Sequence, residues 1–163
     1  MSHTCSQNYL HIIFATKNRR LLIPLELENR LYGYIQGIAK QHKSPIIQIN
    51  GVQDHIHILL KLHPSTVLSV LIKEIKAYST SWIKKQDINE FSWQEGYGAF
   101  STSINHIEGL IKYIQNQKNH HKTKSFKEEI QFLNKIWGVE WMQDEFETED
   151  DLDMQYSSEN SMK

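Results

Sequence analysis

In the stretch GVQDHIHILLKL, Gly51 to Leu62, two histidines stand one residue apart among isoleucines and leucines. On an extended strand side chains alternate between faces, so His55 and His57 point one way while Ile56, Ile58 and Leu60 point the other. Two imidazoles about 6–7 Å apart along a strand can converge on one divalent cation. The same spacing also suits the polar face of a half-exposed strand. A metal site needs at least a third ligand, which must come from an element packed over the histidine face.

The segment NHIEGLIKYIQNQKNHHK, residues 105–122, offers one. At about 100° per residue, Ile107, Leu110, Ile111 and Ile114 gather on one side of a helix, and Tyr113, Gln117 and His120 form a stripe roughly 90° away. Asn105, with Glu108 three residues on, reads as an N-cap and capping box, so one helix is expected from there to about His121. Tyr113 and Gln117 are helix neighbours, so the glutamine amide oxygen could complete a metal site with the tyrosine hydroxyl beside it. A tyrosinate is a capable nucleophile toward phosphorus, and a metal on a non-bridging phosphate oxygen stabilises the developing charge. The product would be a covalent phosphotyrosine.

Tyr32 and Gln36 repeat the same interval, so spacing does not choose between the two pairs. The basic surroundings of the later pair, Lys112, Lys118, His120, His121, Lys122, Lys124 and Lys127, favour it, because a phosphate backbone is drawn there.

The elements that must position these groups follow from periodicity. YLHIIFAT, residues 9–16, reads as a strand followed by a basic turn, Lys17, Arg19 and Arg20. A helix is expected from Pro24 to about His42. SPIIQINGV then forms a strand that turns at Asn50 and Gly51 into the histidine strand. A second helix is expected over about 66–85, a strand near 97–103, the tyrosine helix, and a short amphipathic piece around Phe126 to Trp141. The order β, α, β, β, α, β, α predicts an α+β fold, a mostly antiparallel sheet with helices packed on it.

The chain has 163 residues, one cysteine and a formal charge of −1, so one domain is expected over residues 1–142, with no internal disulfide. No stretch is apolar enough for a signal peptide or a membrane span, which points to the cytoplasm. The charge is unevenly spread: Glu140, Asp144, Glu145, Glu147, Glu149, Asp150, Asp151, Asp153 and Glu159 face Lys163 alone at the C-terminal end. The body is therefore basic and suits a polyanion such as nucleic acid, and residues 143–163 read as an acidic, disordered tail.

Taken together, YLHIIFATKNRR, DHIHILL, GYGAFSTS and YIQNQ, in this order and at these intervals, resemble the single-tyrosine HUH transposases of the smallest insertion sequences, the IS200-like family. The likeness spans roughly Tyr9 to His121. It implies the HUH endonuclease fold, similar to an RNA-recognition module, with His55, His57 and Gln117 as ligands of Mg²⁺ or Mn²⁺ and Tyr113 as nucleophile. It further implies cleavage and rejoining of single-stranded DNA at element ends marked by hairpins, through a 5′-phosphotyrosine. The enzyme would be a homodimer in which the tyrosine helix of one subunit completes the histidine site of the other. Lys17, Arg19, Arg20, Lys112, Lys118, Lys122 and Lys124 are the candidates for DNA contacts. The competing expectation is a relative that keeps the fold only to bind hairpins or single strands. The acidic tail matches no motif of the family.

Overall fold

A computed structural model describes residues 3–142; the acidic tail expected over 143–163 lies outside them. The chain divides into two compact units, Met1–His120 and His121–Lys163. That boundary falls inside the segment expected to form one domain.

The first unit is built on four antiparallel strands, β1 (Asn8–Ala15), β2 (Ile46–Gly51), β3 (His55–Leu62) and β4 (Gly98–Thr102), in the order β2-β3-β1-β4. Helices α1 (Glu28–Gln41) and α2 (Leu68–Lys84) join them. The alternation expected of β3 is realised, and β1 shows the same pattern. Leu10, Ile12, Phe14, Ile56, Ile58 and Leu60 pack with Leu31, Ile35, Ile38, Leu71, Ile72 and Ile75 of the two helices into the main core. Fully burying each such side chain contributes roughly 1.5–3 kcal/mol, which makes this face the principal source of stability. Within it the Trp93 indole N–H donates to Ser79 Oγ at 2.9 Å, and that hydroxyl donates to the Ile75 carbonyl.

Several expected boundaries move for local reasons. Pro24 opens a turn closed by Leu27 N–H donating to the Pro24 carbonyl, and α1 starts only at Glu28. Asn50 and Gly51 are not the hairpin turn but paired strand residues, opposite His57 and Ile56. Gly51 is required there because a Cβ would lie 2.1 Å from the His55 carbonyl oxygen. The reversal falls instead on Val52, Gln53 and Asp54.

The expected tyrosine helix is two pieces. Ser103, not Asn105, opens the segment, its hydroxyl 2.6 Å from His106 Nδ1. A 3-10 turn over Ile104–His106 leads into α3 (Ile107–Gln115), and α4 (Gln117–His120) follows after Asn116. The break coincides with Asn50, whose side-chain amide donates to the Ile114 and Gln115 carbonyls, both at 3.0 Å. Those are the acceptors that an unbroken helix would offer to the amides of residues 118 and 119.

In the second unit, α5 (Phe126–Trp137) begins at a true capping box: Glu128 N–H donates to Ser125 Oγ and Ser125 N–H to the Glu128 carboxylate. These bonds hold the Glu128 carboxyl below the usual carboxylate range. Gly138, with φ 64°, ends the helix in the left-handed region. Within this unit His121 Nε2 lies 3.2 Å from Glu129 Oε1.

Candidate nucleic-acid processing site

The sheet face opposite the main core carries the chemistry. His55 and His57 sit on β3 with no exposed surface, their ring centroids 5.2 Å apart, and a ring nitrogen of each lies within 4.8 Å of the other. Their Nδ1 atoms are both engaged: His55 Nδ1 lies 2.6 Å from Asp54 Oδ1, and His57 Nδ1 lies 2.9 Å from His11 Nε2. A carboxylate bound to Nδ1–H fixes the tautomer and makes Nε2 the ligating nitrogen. For His57 to ligate in the same way, its Nδ1–H must donate and His11 must accept. Two buried imidazoles with their orientation fixed in this manner fit a divalent cation.

His11 comes from β1, where it pairs with Leu59, two pairs along from Ile13 and His57 and so on the same face of the sheet. Its ring stacks on His57 at 5.2 Å. Neither His11 nor Asp54 was expected to have a role. Asp54 adjoins the histidine pair in sequence and could have been found; His11 needs the β1–β3 register to come near His57.

Helix α3 packs over β2 and β3 on this face. It brings the half-buried Tyr113 ring to 5.8 Å from the His57 ring and 6.3 Å from His11, with His120 at 5.6 Å on the other side. Gln117, the expected third ligand, is fully buried at the start of α4. His55, His57 and Tyr113 thus share one face of one unit, and the tyrosine lies against its own chain's histidines. An open depression of about 520 Å³ beside Tyr113 is lined by Lys112, Gln115 and Asn116.

The rival tyrosine is differently placed. Tyr32 is buried on α1, its hydroxyl has no hydrogen-bond partner, and burial, with Glu28 adding to it, pushes the phenol far above its ordinary range. It cannot meet a phosphate without leaving the core.

The basic candidates divide. Lys17 is exposed on a turn where Asn18 and Arg19 take left-handed φ values of 56° and 51°, and Arg20 reaches Glu90 at 2.7 Å. Thr16 ties this turn to the histidine strand: its N–H and hydroxyl both donate to the Asp54 carbonyl, and the hydroxyl lies 2.6 Å from the Arg20 carbonyl. Lys112 is exposed, 3.8 Å from Glu108 in an i,i+4 pair that constrains it little. Lys122 and Lys124 are exposed in the second unit. Lys118 instead contacts Glu28, Asn50 and Gly51.

A four-stranded antiparallel sheet bearing a histidine pair on a central strand, under a tyrosine helix, has the HUH fold, and solved structures share it. One is a Deinococcus radiodurans R1 protein assigned as a transposase, at TM-score 0.55 and 22% identity, over 72% of this chain and 95% of that one. Another is a REP-associated tyrosine transposase bound to a REP hairpin, at TM-score 0.55 and 17% identity, over 74% of each chain. Residues 4–117 match the family described as Transposase IS200 like, and the chain belongs to that family. Among curated relatives, the ISDra2 transposase TnpA of Deinococcus radiodurans is 25% identical over 114 residues, 66% of this chain and 81% of that protein.

Proposed function

We propose that the protein cleaves and rejoins single-stranded DNA at the ends of its own mobile element, recognising hairpins there and working as a homodimer in the cytoplasm, where such DNA is found. The observation that carries this reading is the packing of Tyr113 against His57 on the polar sheet face. The hairpin bound to one structural relative agrees with it. Apolar surface on the tyrosine segment, the exposed Ile104 and the half-buried Ile107, Leu110 and Ile111, suits a second copy.

Tyr113 gives up its phenolic proton to a base, Oη attacks the scissile phosphorus, the P–O3′ bond breaks, and the leaving 3′ oxygen takes up a proton. The 5′ phosphate remains on the tyrosine. His57 is engaged at both nitrogens when it holds a metal, so His11 and His120 are the imidazoles at the ring that could exchange a proton. His55, His57 and Gln117 would hold Mg²⁺ or Mn²⁺, which when bound supplies Lewis-acid stabilisation of a non-bridging oxygen. Attack by a 3′-OH on the phosphotyrosine reverses the exchange, so bond energy is conserved without ATP. Lys17, Arg19, Arg20 and Lys112 would contact the backbone near the site, and Lys122 and Lys124 from the second unit.

The test uses 3′-labelled single strands covering the DNA on either side of the protein's own gene, with Mg²⁺ or Mn²⁺. A covalent protein–DNA adduct that disappears in Tyr113→Phe is expected. An adduct that survives in Tyr113→Phe refutes the assignment of the nucleophile, and hairpin binding without any adduct favours the purely binding relative.

A further inference from the structure

Lys118 was expected to face DNA, but its surroundings give it another task. Its ammonium lies 2.7 Å from Glu28 Oε1, 2.8 Å from Asn50 Oδ1 and 3.2 Å from the Gly51 carbonyl. A lysine has three N–H donors, and these three acceptors use all of them. A phosphate could be met only by giving one up.

Each acceptor belongs to an element that must be fixed relative to the tyrosine. Glu28 is buried in the first turn of α1, where the helix N-terminus favours a negative charge. One of its oxygens is on Lys118, and the other has no hydrogen-bond partner. Among the described residues, Lys118 is therefore the only hydrogen-bonding and ion-pair partner of a buried carboxylate. Asn50 uses its oxygen on Lys118 and its amide on the Ile114 and Gln115 carbonyls, which directly follow Tyr113. Gln115 adds a bond to Gln48 at 3.3 Å. Gly51 is the β2 residue packed directly on the His55 carbonyl.

We infer that Lys118, seated on Glu28 and acting through Asn50, is a positioning residue that holds Tyr113 against His57 of its own chain. This is the opposite of the exchange between subunits that the family resemblance implies, and it rests on Tyr113 being the nucleophile. The end of the tyrosine helix is fixed to the strand next to the histidines by side-chain bonds on both sides of the Asn116 break.

The experiment compares the parent, Lys118→Arg, Lys118→Met and the double variant Glu28→Gln/Lys118→Met, the last avoiding a buried unpaired charge if the single change fails to fold. Hydrogen exchange of the amides over 107–120 in DNA-free protein is expected to quicken in the methionine variants and remain slow in Lys118→Arg. This readout does not depend on which residue is the nucleophile; unchanged exchange overturns the clamp. With the same 3′-labelled strands at saturation, adduct formation in a single turnover should slow by up to roughly a hundredfold, the scale of a reacting group displaced by about 1 Å. DNA affinity and its salt dependence should stay as in the parent. A salt slope reduced by about 1 with an unchanged rate would make Lys118 a phosphate contact and overturn the inference. Finally, heterodimers of a Tyr113→Phe chain and a His57→Ala chain, purified through two different tags, should form no adduct; an adduct there shows the tyrosine acting across subunits and overturns the placement in cis.

Discussion

Both faces of the sheet are covered, but for different reasons. The face under α1 and α2 is hydrocarbon throughout the strands: Ile12, Phe14, Ile56, Ile58 and Leu60 have no exposed surface and no polar atoms to satisfy. The face under α3 buries His11, His55 and His57 just as deeply. Burying polar groups costs stability unless they are bonded, so the second face is held by specific pairs such as Asp54 with His55 and His11 with His57. From His55 to Ile58 of β3 the two kinds of residue alternate. One strand can therefore anchor the fold and aim its ligands without either task disturbing the other.

Adjacent substitutions on that strand give the largest effects and put the division at risk. His57→Ala should lower adduct formation by at least roughly a hundredfold, at a smaller cost in stability of about 1–3 kcal/mol for the bond to His11 that is lost. Its neighbour Ile58→Ala should cost about 2–5 kcal/mol in urea unfolding and leave the adduct yield per folded molecule unchanged. If both variants lose stability equally, the faces do not divide the work.

An intermediate effect is expected at Asp54. Its carboxylate orients His55 without being needed as a ligand, so Asp54→Ala should weaken Mn²⁺ binding by roughly 10–100-fold in calorimetric titration. Unchanged binding would mean that the bond to His55 Nδ1 has no part in holding a metal.

The smallest effect belongs to the apolar face. Lys76 of α2 lies 5.0 Å above the Phe14 ring and donates to the Gln94 and Gly96 carbonyls. Burial there lowers its pKa from 10.5 to about 8, against a smaller opposing pull from Glu95. Between those values the unfolded chain binds the proton and the folded chain does not, so stability should rise with pH from about 8 to about 10.5. Urea midpoints of the parent measured against Lys76→Met across that range should show the rise in the parent alone.

The difference between the faces also explains what the sequence could disclose. The apolar face is written in local periodicity, and the strands and helices around it were legible to within a few residues. The histidine pair was legible for the same reason, since period two places His55 and His57 together. Tyr113 and Gln117 were visible as an i,i+4 pair, but the interruption at Asn116 was not, because its cause, Asn50, is more than sixty residues away. Asn50 and Gly51 look like a hairpin turn by composition, and only the pairing with His57 and Ile56 shows them to be strand. Glu28 gives no local sign that it will be buried under Lys118. His11 stands in a strand that alternation places correctly, yet its partner is set by register. Residues whose roles depend on what packs against them from elsewhere in the chain were the ones missed.

Gly51 has a consequence of its own. Ordinary van der Waals contact begins near 3.4 Å, whereas a Cβ at this position would stand 2.1 Å from the His55 carbonyl oxygen. Any side chain there must push the first histidine's backbone away by more than about 1 Å, while α3 stays fastened to β2. The missing methyl thus acts as a gauge: it sets the height at which the first imidazole stands beside His57, the ring that meets the tyrosine, and alanine, the smallest possible change, would detune the spacing while leaving every reacting group in the chain.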